Sequence, residues 1–243
     1  MQKESTFSPY SLASYDWSVK WIEPLKVTGN ERISGTNKNE LKLLEALVVV
    51  PIIGSKQAEL IFGITRKKAD KMISEKKIIK HTVVRNNQTI PIFTLGELGA
   101  EIVNHPHYHK KYWVNYEIKS VLKCLSFYNL YQYFFEFEMC KVQQPFTGII
   151  RTKKSNMFVY VLNDKGTDLQ RYLLYDEDFV KRIIIIAEKK EYVEPLIPLL
   201  AKSQIKLRVA LDSDIFYKDQ TGVNNKMYFL DSENNQLIKD EFA

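Results

Sequence analysis

Cysteine is scarce in this chain, and that scarcity excludes two kinds of chemistry. Cys124 and Cys140 are the only two in 243 residues. They form no CxxC pair and no metal-ligand spacing, so neither a zinc ribbon nor a dithiol redox centre is expected. Long apolar runs are also missing: stretches such as Ile183–Ile186 fall far short of the roughly 20 residues that span a bilayer. No charged-then-apolar leader opens the chain. These absences predict a soluble protein of a reducing cytoplasm with no membrane partner. Without a glycine-rich phosphate loop or a G-x-S-x-G elbow, neither ATP hydrolysis nor covalent serine catalysis is expected, and no cofactor is implied.

What is present can build a core. Hydrophobic residues make up 45% and aromatics 12% of the chain, too much for global disorder. The formal net charge is +6, and its placement matters more than its size. Residues 51–90 hold nine basic groups (Lys56, Arg66, Lys67, Lys68, Lys71, Lys76, Lys77, Lys80, Arg85) against three acids (Glu59, Asp70, Glu75), an excess equal to that of the whole chain. A local positive field of this kind suits a polyanion.

Residues 1–36 show no period and read as an N-terminal arm. Leu41, Leu43, Leu44, Leu47 and Val48 then mark a first helix, stopped by Pro51 and Gly54. Ser55 is placed to cap a second helix ending at Gly63, and Thr65 a third running through Lys77. Two β-rich runs, IIKHTVVR and TIPIFTL, flank the turn NNQ. Thr94 and Glu97 have capping-box spacing for a fourth helix. This order predicts a winged helix-turn-helix over 37–104, then a linker at 105–112. From 113 to 243 a long amphipathic segment leads into GIIRT, MFVYVLN, RIIIIAE and IKLRVALD, with YVEPLIPLLAKS as a helix between the last two and a closing hairpin in YKDQTGVNNKMYFL. That alternation predicts an α/β domain with parallel pairing, giving an α+β chain overall.

The third helix is the expected recognition helix. Burying Ile64, Ala69, Met72 and Ile73 leaves Arg66, Lys67, Lys68, Asp70, Lys71 and Ser74 outward or on the flanks. Arg66 is the residue expected to read a base, since its planar fork matches guanine O6 and N7. Lys67, Lys68 and Lys71 are expected to hold phosphates. Arg85, Asn86 and Asn87 at the wing tip complete the candidate DNA-binding set.

Two groups of residues are candidate metal ligands. Glu188 and Lys190 make E-x-K after an apolar strand, with Asp164, Asp168, Asp176 and Asp178 upstream. That is similar to the metal-holding pattern of PD-(D/E)xK nucleases, although a solvated strand end is the plainer reading. His105, His107 and His109 alternate and would share one face of an extended segment. A histidine-rich hinge is preferred to a zinc site, and no metal is assigned.

The run IPIFTLGELGAEIVNH followed by VNYEIKSVLKCL resembles the replication-relaxation family of plasmids and other mobile elements, through Thr94, Leu95, Gly99 and Asn115. The likeness spans roughly 40–200. It implies a restriction-endonuclease-like second domain in which a Pro-Asp pair and an E-x-D element hold metal. Here Pro145 is followed by Phe146, and Leu162 stands in the Glu position ahead of Asp164, Lys165 and Gly166. Two carboxylates are lost, and Asp164 with Glu138 would make a poor cage. The resemblance therefore implies a sequence-specific duplex DNA-binding homodimer serving plasmid replication, maintenance, mobilisation or their transcriptional control, with an inactive nuclease-like domain contacting replication or conjugation proteins. The alternatives are a metal-dependent relaxase or nuclease using Asp164, Glu188 and Lys190, and a protein-interaction adaptor without DNA binding.

Overall fold

The computed structural model describes residues 8–23, 35–163, 165–175, 180–216, 227–231, 234 and 236–240. It is a mixed α and β structure with two sheets, and it divides into two compact units, Tyr15–Tyr128 and Met1–Ser14 with Asn129–Ala243.

In the 15–128 unit the elements are β1 (Trp17–Lys20), α1 (Lys38–Val49), β2 (Ile53–Gly54), α2 (Ser55–Phe62), α3 (Arg66–Ser74), β3 (Ile78–Arg85), β4 (Gln88–Leu95) and α4 (Glu97–Ile102). A 3-10 turn at Tyr112–Asn115 and helix α5 (Ile118–Tyr131) follow, the unit boundary falling inside α5. Helix α1 starts where the Asn37 side chain accepts the N–H groups of Asn39 and Glu40, both at 3.0 Å. It buries Leu43, Leu44, Ala46 and Leu47 and stops before Pro51, since the residue ahead of a proline is pushed into extended backbone; Val50 is extended.

Three expected caps turn out differently. At α2 the cap is Gly54, not Ser55: Gln57 Oε1 accepts the Gly54 N–H at 2.9 Å while its amide donates to Leu125 O at 2.7 Å. Thr65 occupies the cap position of α3 in extended backbone, but its side chain makes no cap bond. Helix α3 ends at Ser74 rather than Lys77, because Lys76 takes a left-handed φ of 55° and unwinds the turn. The Thr94–Glu97 capping box does not form. Gly96 caps α4, and Thr94 is buried in β4, 2.9 Å from His81 Nε2.

The first sheet runs β1-β3-β4-β2. Part of the N-terminal arm thus pairs on the hairpin, with Trp17 opposite Arg85 and Lys20 opposite Thr82. On one sheet face His81 lies between Trp21 and Trp113, ring centroids 5.0 and 5.1 Å away. This helps explain why residues 105–128 group with the hairpin: Trp113 is buried, and Tyr128 Oη donates to Val50 O at 2.8 Å. The linker expected at 105–112 therefore does not coincide with the division between units.

The other unit holds β5 (Glu138–Cys140), β6 (Gly148–Arg151), β7 (Asn156–Leu162), α6 (Thr167–Tyr175), β8 (Arg182–Ala187), α7 (Ile197–Lys202), β9 (Lys206–Leu211), α8 (Asp212–Phe216), β10 (Met227–Asp231) and β11 (Gln236–Asp240). Its sheet order is β11-β10-β9-β8-β7-β6-β5, with β7, β8 and β9 parallel. Those three strands read as unbroken apolar runs because a parallel sheet covered by crossover helices is buried on both faces. Tyr160, Leu162, Ile183, Ile185, Leu207 and Val209 pack with Leu169 and Leu173 of α6 and Leu200 of α7. The closing hairpin is β10 with β11, later than expected; 217–226 of the expected segment lie outside the described residues.

Candidate nucleic-acid interface

Helix α3 is held by its apolar side. Ala69 and Met72 are buried, as is Ile64 just ahead of the helix, while Ile73 is only half-buried. The opposite side exposes Arg66, Lys67, Lys68, Asp70 and Lys71. Lys68 Nζ lies 3.4 Å from Gly63 O, over the left-handed turn that separates α2 from α3. Ser74 is exposed as well, but its hydroxyl donates to Lys71 O at 2.8 Å. It sits eight residues beyond Arg66, about 12 Å along the helix, so the cationic end of α3 is its first turn.

A groove of about 340 Å³ runs between α2, α3 and the hairpin, lined among others by Lys56, Arg66, Lys80, Glu59, Asp70 and Phe93. Lys56 and Lys80 belong to the basic run, but neither is in the candidate DNA-binding set drawn from the sequence. The period-two rule carried the signal for Lys80, since Lys80 and Thr82 lie on the face opposite His81.

Lys77 leaves the surface field altogether. Its side chain is fully buried, with Nζ 3.1 Å from Glu40 Oε2 and 2.8 Å from Glu75 Oε2. Burial alone would lower its pKa, but hydrogen bonds to Glu75 and Glu40 outweigh that and raise it. The charge of +6 over residues 51–90 therefore includes one lysine that no ligand can reach.

The tip of the β3–β4 hairpin is partly engaged by the chain itself. Arg85 donates to Gln88 Oε1 at 2.8 Å and lies 5.0 Å over the Tyr15 ring. Asn86 Oδ1 accepts the Asp16 N–H at 2.9 Å, and the Asn86 N–H returns a bond to Asp16 O at 2.8 Å. Asn87 is exposed. Behind the tip, Ile22 N–H donates to His81 Nδ1 at 2.9 Å. The neutral ring then carries its proton on Nε2 and donates to Thr94 Oγ1. Burial lowers the His81 pKa to about 4.

Among the described residues the nuclease candidates are not assembled into a site. Phe146 is buried in the core against Phe158 and Tyr172, and Leu162 is buried in the same cluster. Lys190 Nζ donates to Leu237 O at 3.0 Å, and Glu188 is half-buried at the end of β8. Asp164, Asp176 and Asp178 lie outside the described residues. Asp168 accepts from Tyr160 Oη at 2.5 Å. Glu138 pairs with Arg151 at 3.3 Å, and Arg151 is opposite Asn156 at the start of β7. Leu162 lies six residues further along β7, about 20 Å away, so Glu138 cannot join a cage there. His107 lies in a turn and His105 and His109 in irregular chain, so none of the three is on a strand. Among the described residues no group of three His, Cys, Asp or Glu is placed to hold a metal ion. Burial pushes the Cys124 thiol up to about 12, leaving little thiolate at neutral pH.

Compared with models of known families, with curated proteins and with solved structures, the chain finds no match. No helix among the described residues is long and apolar enough to cross a membrane.

Proposed function

We propose that residues 37–104 act as a winged helix-turn-helix that binds duplex DNA, with the first turn of α3 in the major groove. The supporting observation is the helix itself: Arg66, Lys67, Lys68 and Lys71 are exposed on a helix whose other side is anchored by Ala69 and Met72. Such a helix fits a groove about 12 Å wide. Arg66 reads a base edge. The lysines hold phosphates, with Lys56 and Lys80 extending the cationic surface around the adjoining groove. One short helix contacts few base pairs, so two copies on two half-sites would supply the affinity of a specific complex. The physiological setting on this reading is replication, maintenance or mobilisation of a plasmid or similar element, or control of the genes concerned. The α/β unit supplies assembly rather than cleavage, in keeping with Phe146 and Leu162 buried where the nuclease pattern needs carboxylates.

Selection of bound fragments from plasmid or genomic DNA, followed by footprinting, would give the site and its half-site spacing. In gel shifts on that site, Arg66→Ala with Lys67→Ala should weaken binding at least tenfold. Unchanged affinity in that folded variant would sink the reading. Nicking of supercoiled plasmid with magnesium or manganese would instead favour a nuclease, and no binding even at low salt an adaptor.

A further inference from the structure

Asp70 is the one acidic side chain on α3, and the usual reasons for a carboxylate on a helix do not account for it. It is exposed at the fifth of the nine positions of Arg66–Ser74. That is beyond the first turn, where the helix dipole favours an acid, and aspartate is a weak helix former in an interior position. Arg66 and Lys67 precede it at the two spacings that allow helical pairing, but a base N-terminal to its acid is the weaker order. Among the described residues Asp70 forms neither an ion pair nor a side-chain hydrogen bond. Asp70 and Arg66 both line the groove shared with α2 and the hairpin, one turn apart on the same flank of α3. Three cations, Lys56, Arg66 and Lys80, and two carboxylates, Glu59 and Asp70, face that groove over the buried Ile64, Ala69 and Phe93. It is therefore not a purely cationic phosphate cradle. Glu59 on α2 needs no special account, since glutamate favours a helix interior. Asp70 does.

We propose that Asp70 determines sequence specificity, its carboxylate accepting a hydrogen bond from the N4 amino group of a cytosine in the major groove. The assignment rests on the reading of α3 as a recognition helix with Arg66 on a guanine. Phosphates repel a carboxylate brought against a duplex, so it needs a base donor to answer it. An ionised carboxylate only accepts, and that narrows the choice of base. Guanine presents the acceptors N7 and O6 in the major groove, thymine the acceptor O4 beside its methyl group, and adenine a donor next to the acceptor N7. Cytosine presents the N4 donor alone. The step from Arg66 to Asp70 is about 6 Å along the helix, or about two base pairs at about 3.4 Å each. The cytosine therefore belongs to the pair next to the one Arg66 contacts, or to the pair beyond that.

The test is selection of the full chain's site from a randomised duplex pool, followed by fluorescence anisotropy on that site and on its single-pair changes. The unmodified chain should prefer guanine at one position and cytosine one or two pairs away. Changing that C·G pair to T·A should weaken binding about tenfold. Asp70→Ala should bind the two duplexes equally while keeping the guanine preference. Asp70→Asn should move the preference from cytosine to adenine, whose N6 and N7 an amide bonds together. Arg66→Ala should lose the guanine preference and keep the cytosine one. Glu59→Ala should alter neither, since it removes a charge from the same groove without touching a base. Circular dichroism would confirm that each variant is folded. The assignment alone is overturned if duplex binding depends on Arg66 and Lys67 yet either Asp70 variant keeps the cytosine preference. The same holds if the Asp70 changes raise affinity equally for every sequence, which would make the residue a general electrostatic brake, or if Glu59→Ala erases the preference. If the unmodified chain binds no duplex, or Arg66→Ala with Lys67→Ala binds as before, the recognition-helix reading falls and this assignment with it.

Discussion

Lys77 and Glu40 form an ion pair of 3.1 Å whose lysine is wholly shut off from solvent, and Glu75 closes on the same ammonium from the end of α3. The arrangement ties the C-terminal end of α3 to α1. Removing one partner of a buried pair leaves the others desolvated and uncompensated, a loss of about 3–5 kcal/mol. Lys77→Met should therefore lower the stability of the 15–128 unit by roughly that amount in chemical denaturation, and adding Glu40→Gln should recover part of it. Duplex affinity per folded molecule should hardly change, since Lys77 touches no ligand. The raised pKa has its own signature. The stabilisation is complete below the ordinary lysine value of 10.5 and fades as pH rises past it through the higher folded value.

His81 predicts a loss on the acid side. Its folded pKa is about 4 against an ordinary 6.5, so between those values the unfolded chain binds a proton that the folded one refuses. Stability from this group is full above about 6.5 and falls as pH drops toward 4, by about 3 kcal/mol at most. All three tryptophans, Trp17, Trp21 and Trp113, lie in the 15–128 unit, so their fluorescence follows its unfolding alone. Urea melts at about pH 7 and about pH 4.5 should show the drop, and His81→Phe should shrink it. An undiminished drop in that variant would assign the acid sensitivity elsewhere.

Gly99 sets helix propensity against close packing. Alanine in place of a helical glycine gains about 1 kcal/mol on propensity alone. Here, however, a Cβ at Gly99 would sit 2.1 Å from Lys77 O, a backbone atom that cannot swing aside. Gly99→Ala should thus destabilise the unit, despite the propensity, and lower its thermal midpoint. A variant as stable as the unmodified chain would mean that α4 can move away from Lys77 at little cost.

Much of the 15–128 unit was legible because its signals are local. Leu43, Leu44 and Leu47 mark α1, Gly63 ends α2, and the alternation through Ile79, His81 and Val83 marks β3, all where expected. The parallel strands were legible as apolar runs. What failed depended on contacts distant in sequence. Lys77 looks like one more cation of a basic run until Glu40 is brought to it from 37 residues away. Thr94 has the spacing of a cap, but His81 claims its hydroxyl from the neighbouring strand. No period announces that β1 pairs on β3, because Trp17–Lys20 is a short edge strand fixed by its partner.

Arg85 offers a way to separate a structural role from the proposed DNA-binding one at the β3–β4 hairpin tip. Its stacking on Tyr15 and its bond to Gln88 both lie within the chain, and a half-exposed cation–π contact contributes about 0.5–1 kcal/mol. Tyr15→Ala and Arg85→Ala should therefore cost similar, small amounts of stability. Their effects on duplex binding should differ. If the hairpin tip lies on the DNA backbone, Arg85→Ala should reduce the steepness of the plot of log K against log salt by about 0.9, the value of one phosphate contact. Tyr15→Ala keeps the guanidinium and should leave that slope alone, at some loss of affinity if the ring pre-positions it. Equal slopes for Arg85→Ala and the unmodified chain would confine Arg85 to bracing the N-terminal strand and limit the duplex footprint to α3 and its groove.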